Sequence, residues 1–179
     1  MWKNAFLFIL ISSFFTFQSC KKSSGDGGTP PTPINNHISF KVNQTPVEAK
    51  FKVILQDQIF NAYFVKDQTI EMQRLVENGN PQRLIFKVER IDLENIDFPH
   101  VVKYSLLQTE SSVSVTYVDA NNVPYGSNTS NPDDFVLTVN GYDNKVLNCS
   151  FEGSLYAADP TQTPAVISEG TLNLELVEY

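Results

Sequence analysis

Leu147-Asn148-Cys149-Ser150-Phe151-Glu152-Gly153-Ser154-Leu155 decides the fold. Leu147, Cys149, Phe151 and Leu155 alternate with Asn148, Ser150, Glu152 and Ser154. A period of two puts one set of side chains on each face of an extended strand. One face is apolar and the other is polar, so the strand is half-buried in an antiparallel sheet.

The same alternation recurs on both sides of it. Val113, Val115 and Tyr117 alternate with Ser114 and Thr116. Phe135, Leu137 and Val139 alternate with Thr138 and Asn140. Leu172, Leu174 and Leu176 alternate with Asn173, Glu175 and Val177. Ile59–Val65 and Leu84–Val88 are apolar at successive positions, which predicts strands covered on both faces. Turn residues stand between the runs: Asn78-Gly79-Asn80-Pro81, Asn121-Asn122-Val123-Pro124, Gly141-Tyr142-Asp143-Asn144 and the polar Asp159–Pro164. Glu89–Asp97 is the one segment read as a short helix, ended by Pro99. The chain is therefore all-β, with roughly nine or ten strands at regular spacing. An antiparallel β-sandwich is the expected architecture, and an up-and-down β-barrel the alternative.

The β pattern fills residues 37–179 as a single domain. What precedes it has a different character. Lys3 gives a positive start, and Ala5–Phe17 is an apolar run. That run is shorter than the roughly 20 residues a helix needs to cross about 30 Å of hydrocarbon. Residues 1–19 therefore read as a secretion signal. Gln18-Ser19-Cys20 resembles a bacterial lipobox, in which cleavage leaves Cys20 carrying a diacylglycerol and further acyl groups such as palmitate. Several acyl chains anchor a protein stably where one does not. Residues 20–36 are then the lipidated cysteine and a flexible linker rich in Gly, Ser, Thr and Pro. Its root-mean-square span is roughly 20–24 Å.

Ile38-Ser39-Phe40-Lys41-Val42-Asn43-Gln44-Thr45-Pro46, Pro99–Tyr104, Val136–Phe151 and Gly170–Leu176 together resemble small Bacteroidota-type lipoproteins with an uncharacterised β-rich domain. Gln44 and His100 stand where glycine is usual in that family. The resemblance implies a β domain and an envelope address, and it brings no catalytic residues with it.

Charge and chemistry narrow the function. There are 13 basic and 20 acidic side chains, for a net charge of −7. This balance argues against nucleic acid, whose phosphates need Lys and Arg to displace their counterions. His37 and His100 lack ligand neighbours at metal spacing. Cys149 shares its phase with Leu147 and Phe151, so its thiol is expected to be buried and inert. The acidic and amide residues Asp133, Asp134, Asp143, Asn144, Asp119, Asn121 and Asn122 sit at turns but do not follow a calcium-loop spacing. No metal or cofactor is called for, and no catalytic residue is nominated. Among the aromatics, Tyr125 and Tyr142 fall in loops or turns and are the ligand-binding candidates, whereas Tyr63, Tyr104 and Tyr117 are expected to face the core.

The sequence thus predicts a non-enzymatic binding or interaction domain. The lipid on Cys20 would hold it to the outer membrane, with the periplasmic side favoured because Asp26 is the only acid near the anchor. Its partner would be an unidentified protein or glycan. A barrel-type carrier of a small ligand is the alternative, and a hydrolase with a dispersed site is a third reading.

Overall fold

The computed structural model describes residues 37–49, 61–75, 82–127 and 130–179. The signal, Cys20, the linker, Ile59 and Phe60, and the Asn78–Pro81 turn lie outside the described residues.

Among the described residues there are twelve strands and no helix. They are β1 (His37–Val42), β2 (Thr45–Ala49), β3 (Asn61–Phe64), β4 (Thr69–Leu75), β5 (Arg83–Glu89) and β6 (His100–Lys103). Then follow β7 (Ser112–Val118), β8 (Pro124–Gly126), β9 (Phe135–Asp143), β10 (Val146–Ala157), β11 (Ala165–Glu175) and β12 (Val177–Glu178). Their order is β12-β3-β4-β5-β7-β6-β9-β10-β11-β1-β2. Short β8 pairs with both β7 and β10, so β7, β6, β9, β10 and β8 close into a ring.

The sheet wraps over itself and joins features of both expected architectures. Phe86 on β5 meets Phe151 on β10 with ring centroids 5.0 Å apart, and Phe40 on β1 meets Tyr117 on β7 at 6.0 Å. These strands are not neighbours in the sheet, so its two halves face each other as in a sandwich. The five-strand ring is the barrel-like part, but it is not up-and-down. β6 and β7 are parallel neighbours, and β12 is parallel to β3, whereas the remaining pairings are antiparallel.

The alternating strands fold as their pattern dictates. Leu147, Cys149, Phe151 and Leu155 are buried, and so are Val113, Val115, Tyr117, Phe135, Leu137 and Val139. Asn61, Ala62 and Tyr63 are buried in succession, so β3 is covered on both faces as expected. β5 is not: Leu84, Phe86 and Val88 are buried while Lys87 is exposed, so it has one wet face.

Two local readings are corrected. Residues 89–97 hold no helix: Asn95 and Ile96 donate to the Asp92 carbonyl in a single turn. Ile91 just before that turn and Leu93 within it are buried in the core. The hydroxyl of Tyr63 holds them, donating to the Ile91 carbonyl at 3.2 Å and accepting from Leu93 N–H at 3.3 Å. The second correction is the turn after β9. It is Asn144-Lys145, with φ of 49° and 67°, while Gly141 and Tyr142 lie within the strand. Asp143 pairs with Val146 across this two-residue turn, which requires positive φ at both of its positions.

Candidate functional site

β1 begins at His37 and ends at the Asn43-Gln44 turn. Around that far end the β1–β2 hairpin faces the loop between β7 and β8. The two enclose a hollow of about 250 Å³. Val42, Val47, Ala165 and Tyr117 form its apolar base. Asn43, Thr45, Gln82, Asp119 and Asn121 supply polar groups around it. Tyr125 completes the lining.

Each part has a local cause. Tyr117 and Tyr125 are cross-strand partners, and their rings lie 6.2 Å apart at 31°. The Tyr117 hydroxyl accepts from Gln82 Nε2 at 2.9 Å, and burial pushes its pKa up. The Tyr125 hydroxyl donates to Gln162 Oε1 at 3.2 Å. Asp119 Oδ1 accepts from the N–H groups of Asn121 at 2.9 Å and Val123 at 2.8 Å. This Asx turn fixes the loop that carries Asn121. Asn43 is clamped to β11: its N–H donates to the Val166 carbonyl at 2.9 Å and its Oδ1 accepts from Val166 N–H at 3.0 Å.

The two nominated tyrosines therefore lie at opposite ends of the domain. Tyr142 sits beside Leu147, near the His37 end of the sheet. Its hydroxyl donates to Glu178 Oε1 at 2.6 Å, and its ring packs edge-on to Tyr63 at 6.2 Å. Burial, and next the bond to Glu178, drive its pKa far above the usual phenol value. Tyr125 and Tyr142 are both half-buried with an engaged hydroxyl, and place separates them: Tyr125 lines the hollow, whereas Tyr142 joins Tyr63 and Glu178 in a clasp. Tyr63 and Tyr117 are buried as expected, but Tyr104 is only half-buried.

Other candidates are dispersed. Tyr104 lines a groove of about 580 Å³ with His100, beside the Lys103–Asp133 ion pair of 2.8 Å. Cys149 is 3% exposed, and burial pushes its thiol pKa well up. Asp134 accepts from the Tyr156 hydroxyl, and Asp143 from Asn144. Among the described residues no three His, Cys, Asp or Glu side chains converge as metal ligands. A third depression, of about 570 Å³, lies over Thr138, Ser150, Thr171 and Ser39. These four line up by register across β9, β10, β11 and β1, and their short side chains leave the space.

No family model, curated protein or solved structure matches this chain. The site therefore rests on its own geometry. Sequence reasoning nominated Tyr125 as a loop residue, but it lies in β8, paired with Tyr117, just after the Asp119–Val123 turn. That reasoning missed Asn43, Thr45 and Gln82, which reach the same hollow from distant positions in the chain. The signals were visible as turn residues, but only the strand register shows that the two turns meet.

Proposed function

We propose that this chain is a lipid-anchored, non-enzymatic binding domain of the bacterial cell envelope, held to the outer membrane through Cys20, with its ligand site in the hollow beside Tyr125. The observation that carries this reading is the position of the hollow. It lies at the opposite end of β1 from His37, where the chain coming from the linker enters the domain. At about 3.3 Å per residue, β1 places it roughly 20 Å from that entry. A site so placed is clear of the strand end where the chain enters the domain. Tethering then raises the effective concentration for neighbouring ligands.

The interior favours a binder over a carrier. Phe40, Phe86, Phe135, Phe151 and Tyr117 pack against one another where a barrel carrier would hold its ligand. The dispersal of His100, Cys149 and the carboxylates favours binding over hydrolysis.

Two measurements test the proposal. Labelling with a palmitate analogue should mark the native protein and be lost in Cys20→Ala; equal labelling of both would defeat the anchor. Envelope material retained by the anchored protein should depend on Tyr125 and be recovered chemically unchanged. Conversion of that material by the purified protein would make it an enzyme instead. Protease treatment of intact cells reads the side of the membrane: survival of the domain is the expected, periplasmic result.

A further inference from the structure

We infer that the hollow beside Tyr125 takes one neutral sugar unit, its apolar face on the tyrosine and its hydroxyls on the surrounding amides and Asp119. This inference rests on the binding-domain reading above and names the ligand class of that site.

A pyranose ring presents two chemistries. One face is a patch of C–H groups, and the edge carries hydroxyls that both donate and accept. The hollow offers both complements. Val42, Val47, Ala165 and the paired rings of Tyr117 and Tyr125 are apolar. Asn43, Gln82 and Asn121 carry amides, Asp119 a carboxylate and Thr45 a hydroxyl. Amides and carboxylates meet adjacent hydroxyls with paired donors and acceptors. Two of these side chains are already fixed, Asn43 by Val166 and Asp119 by Asn121 and Val123. Fixed groups lose less entropy when a ligand binds.

Charge and size argue against other classes. Among the described residues lining the hollow there is no Lys, Arg or His, so a phosphate or carboxylate ligand would meet no countercharge. Asp119 is the one acid among those described residues, so a cation is the competing class and is included as a probe in the test. The volume of about 250 Å³ falls below the roughly 300–1,000 Å³ of drug-sized pockets, so it suits a single ring. One ring in an open hollow binds weakly, with an expected Kd of about 1 mM. Anchored copies would gain avidity on a glycan that repeats the unit.

Saturation-transfer NMR of the full-length protein in detergent micelles tests this directly. The probes are methyl glycosides of glucose, galactose, mannose and N-acetylglucosamine. At least one should receive saturation, strongest on the protons of one ring face. Tyr125→Ala should abolish it, whereas Tyr125→Phe and the outer-face variant Thr138→Ala should keep it. Asn121→Ala, an exposed loop change, should weaken binding about three- to tenfold for a lost hydrogen bond. It keeps the test valid if Tyr125→Ala does not fold. Transfer to none of the glycosides, or transfer indifferent to Tyr125 and Asn121, overturns the inference. A Tyr125-dependent response to tetramethylammonium or methyl phosphate alone would overturn the sugar class and leave the binding domain standing. Failure of every probe, together with no Tyr125-dependent retention of envelope material, would remove both.

Discussion

Gly170 is held against Phe151 so closely that a Cβ would overlap the phenylalanine carbonyl and ring edge. The obstacle on one side is backbone, which cannot swing away. Gly170→Ala should therefore cost about 1–3 kcal/mol by overpacking, read as a fall in the urea midpoint; an unchanged midpoint would refute the close approach. Cys149 presents the opposite case, a small apolar filler. Cys149→Ser places a hydroxyl among Leu137, Leu147 and other buried side chains and should cost about 1–3 kcal/mol. The native thiol should react with a thiol reagent only on unfolding, and rapid labelling of the folded protein would contradict its burial. Alternation alone made the burial of Cys149 legible. It could not reveal the role of Gly170, because what fills the space of the missing side chain comes from the neighbouring strand.

Among the elements, the β1–β2 hairpin turns on Asn43 and Gln44, with φ of 48° and 69°. Val42 pairs with Thr45 across this two-residue turn. Asn tolerates the left-handed region, but Gln pays about 1–2 kcal/mol there. Gln44→Gly should raise stability by about 0.5–1 kcal/mol after the added freedom of the unfolded chain is subtracted; a lower thermal midpoint would argue against the turn geometry. Lys145 occupies the matching position of the β9–β10 turn at φ 67°, but it also pairs with Glu178 at 2.7 Å. Lys145→Gly should therefore gain less than Gln44→Gly. β11 explains why some elements were hard to read. Ala165 and Ile167 are buried, then Gly170, Leu172 and Leu174. The phase flips at Glu169, where the backbone turns to φ 52° and the register with β1 and β10 shifts. A period-two reading finds the half from Leu172 to Leu176 and loses the half before the bulge. Short β2, β8 and β12 offered too few residues for any period, and their strand character comes from the partners they bridge.

At the scale of the whole molecule, the C-terminal residues clasp the two halves of the sheet. β11 belongs to one half, and the chain continues past Leu176 into β12, which pairs with β3 of the other. Leu176 N–H donates to the Lys145 carbonyl at 2.8 Å, and Tyr179 N–H to the Tyr63 carbonyl at 2.9 Å. Tyr179 stacks on Phe64 at 5.6 Å. Glu178 joins the clasp by accepting from Tyr142 at 2.6 Å and pairing with Lys145. Lys145 first, then Tyr142, hold the Glu178 carboxyl below its ordinary value of 4.5. A lowered carboxyl pKa adds stability above about pH 4.5 that fades as pH falls through the folded value. Tyr142 has the reverse sign. Its hydroxyl is raised above 10.0 by burial and by Glu178, so its contribution is present below pH 10 and fades as pH rises beyond it. The clasp should therefore be strongest between these limits. Stability measured against pH should decline on both sides in the native protein. Tyr142→Phe should make the alkaline limb shallower, with Tyr63, Tyr117 and Cys149 still sloping it, and Glu178→Gln should do the same to the acid limb, where Glu89 and Asp159 remain. Parallel curves for native and variant proteins would mean that the clasp does not couple the two halves. Because the hollow beside Tyr125 lies at the other end of the sheet, Tyr142→Phe should leave glycoside binding unchanged wherever the protein stays folded. A loss of binding in that variant would move the ligand site to the clasp.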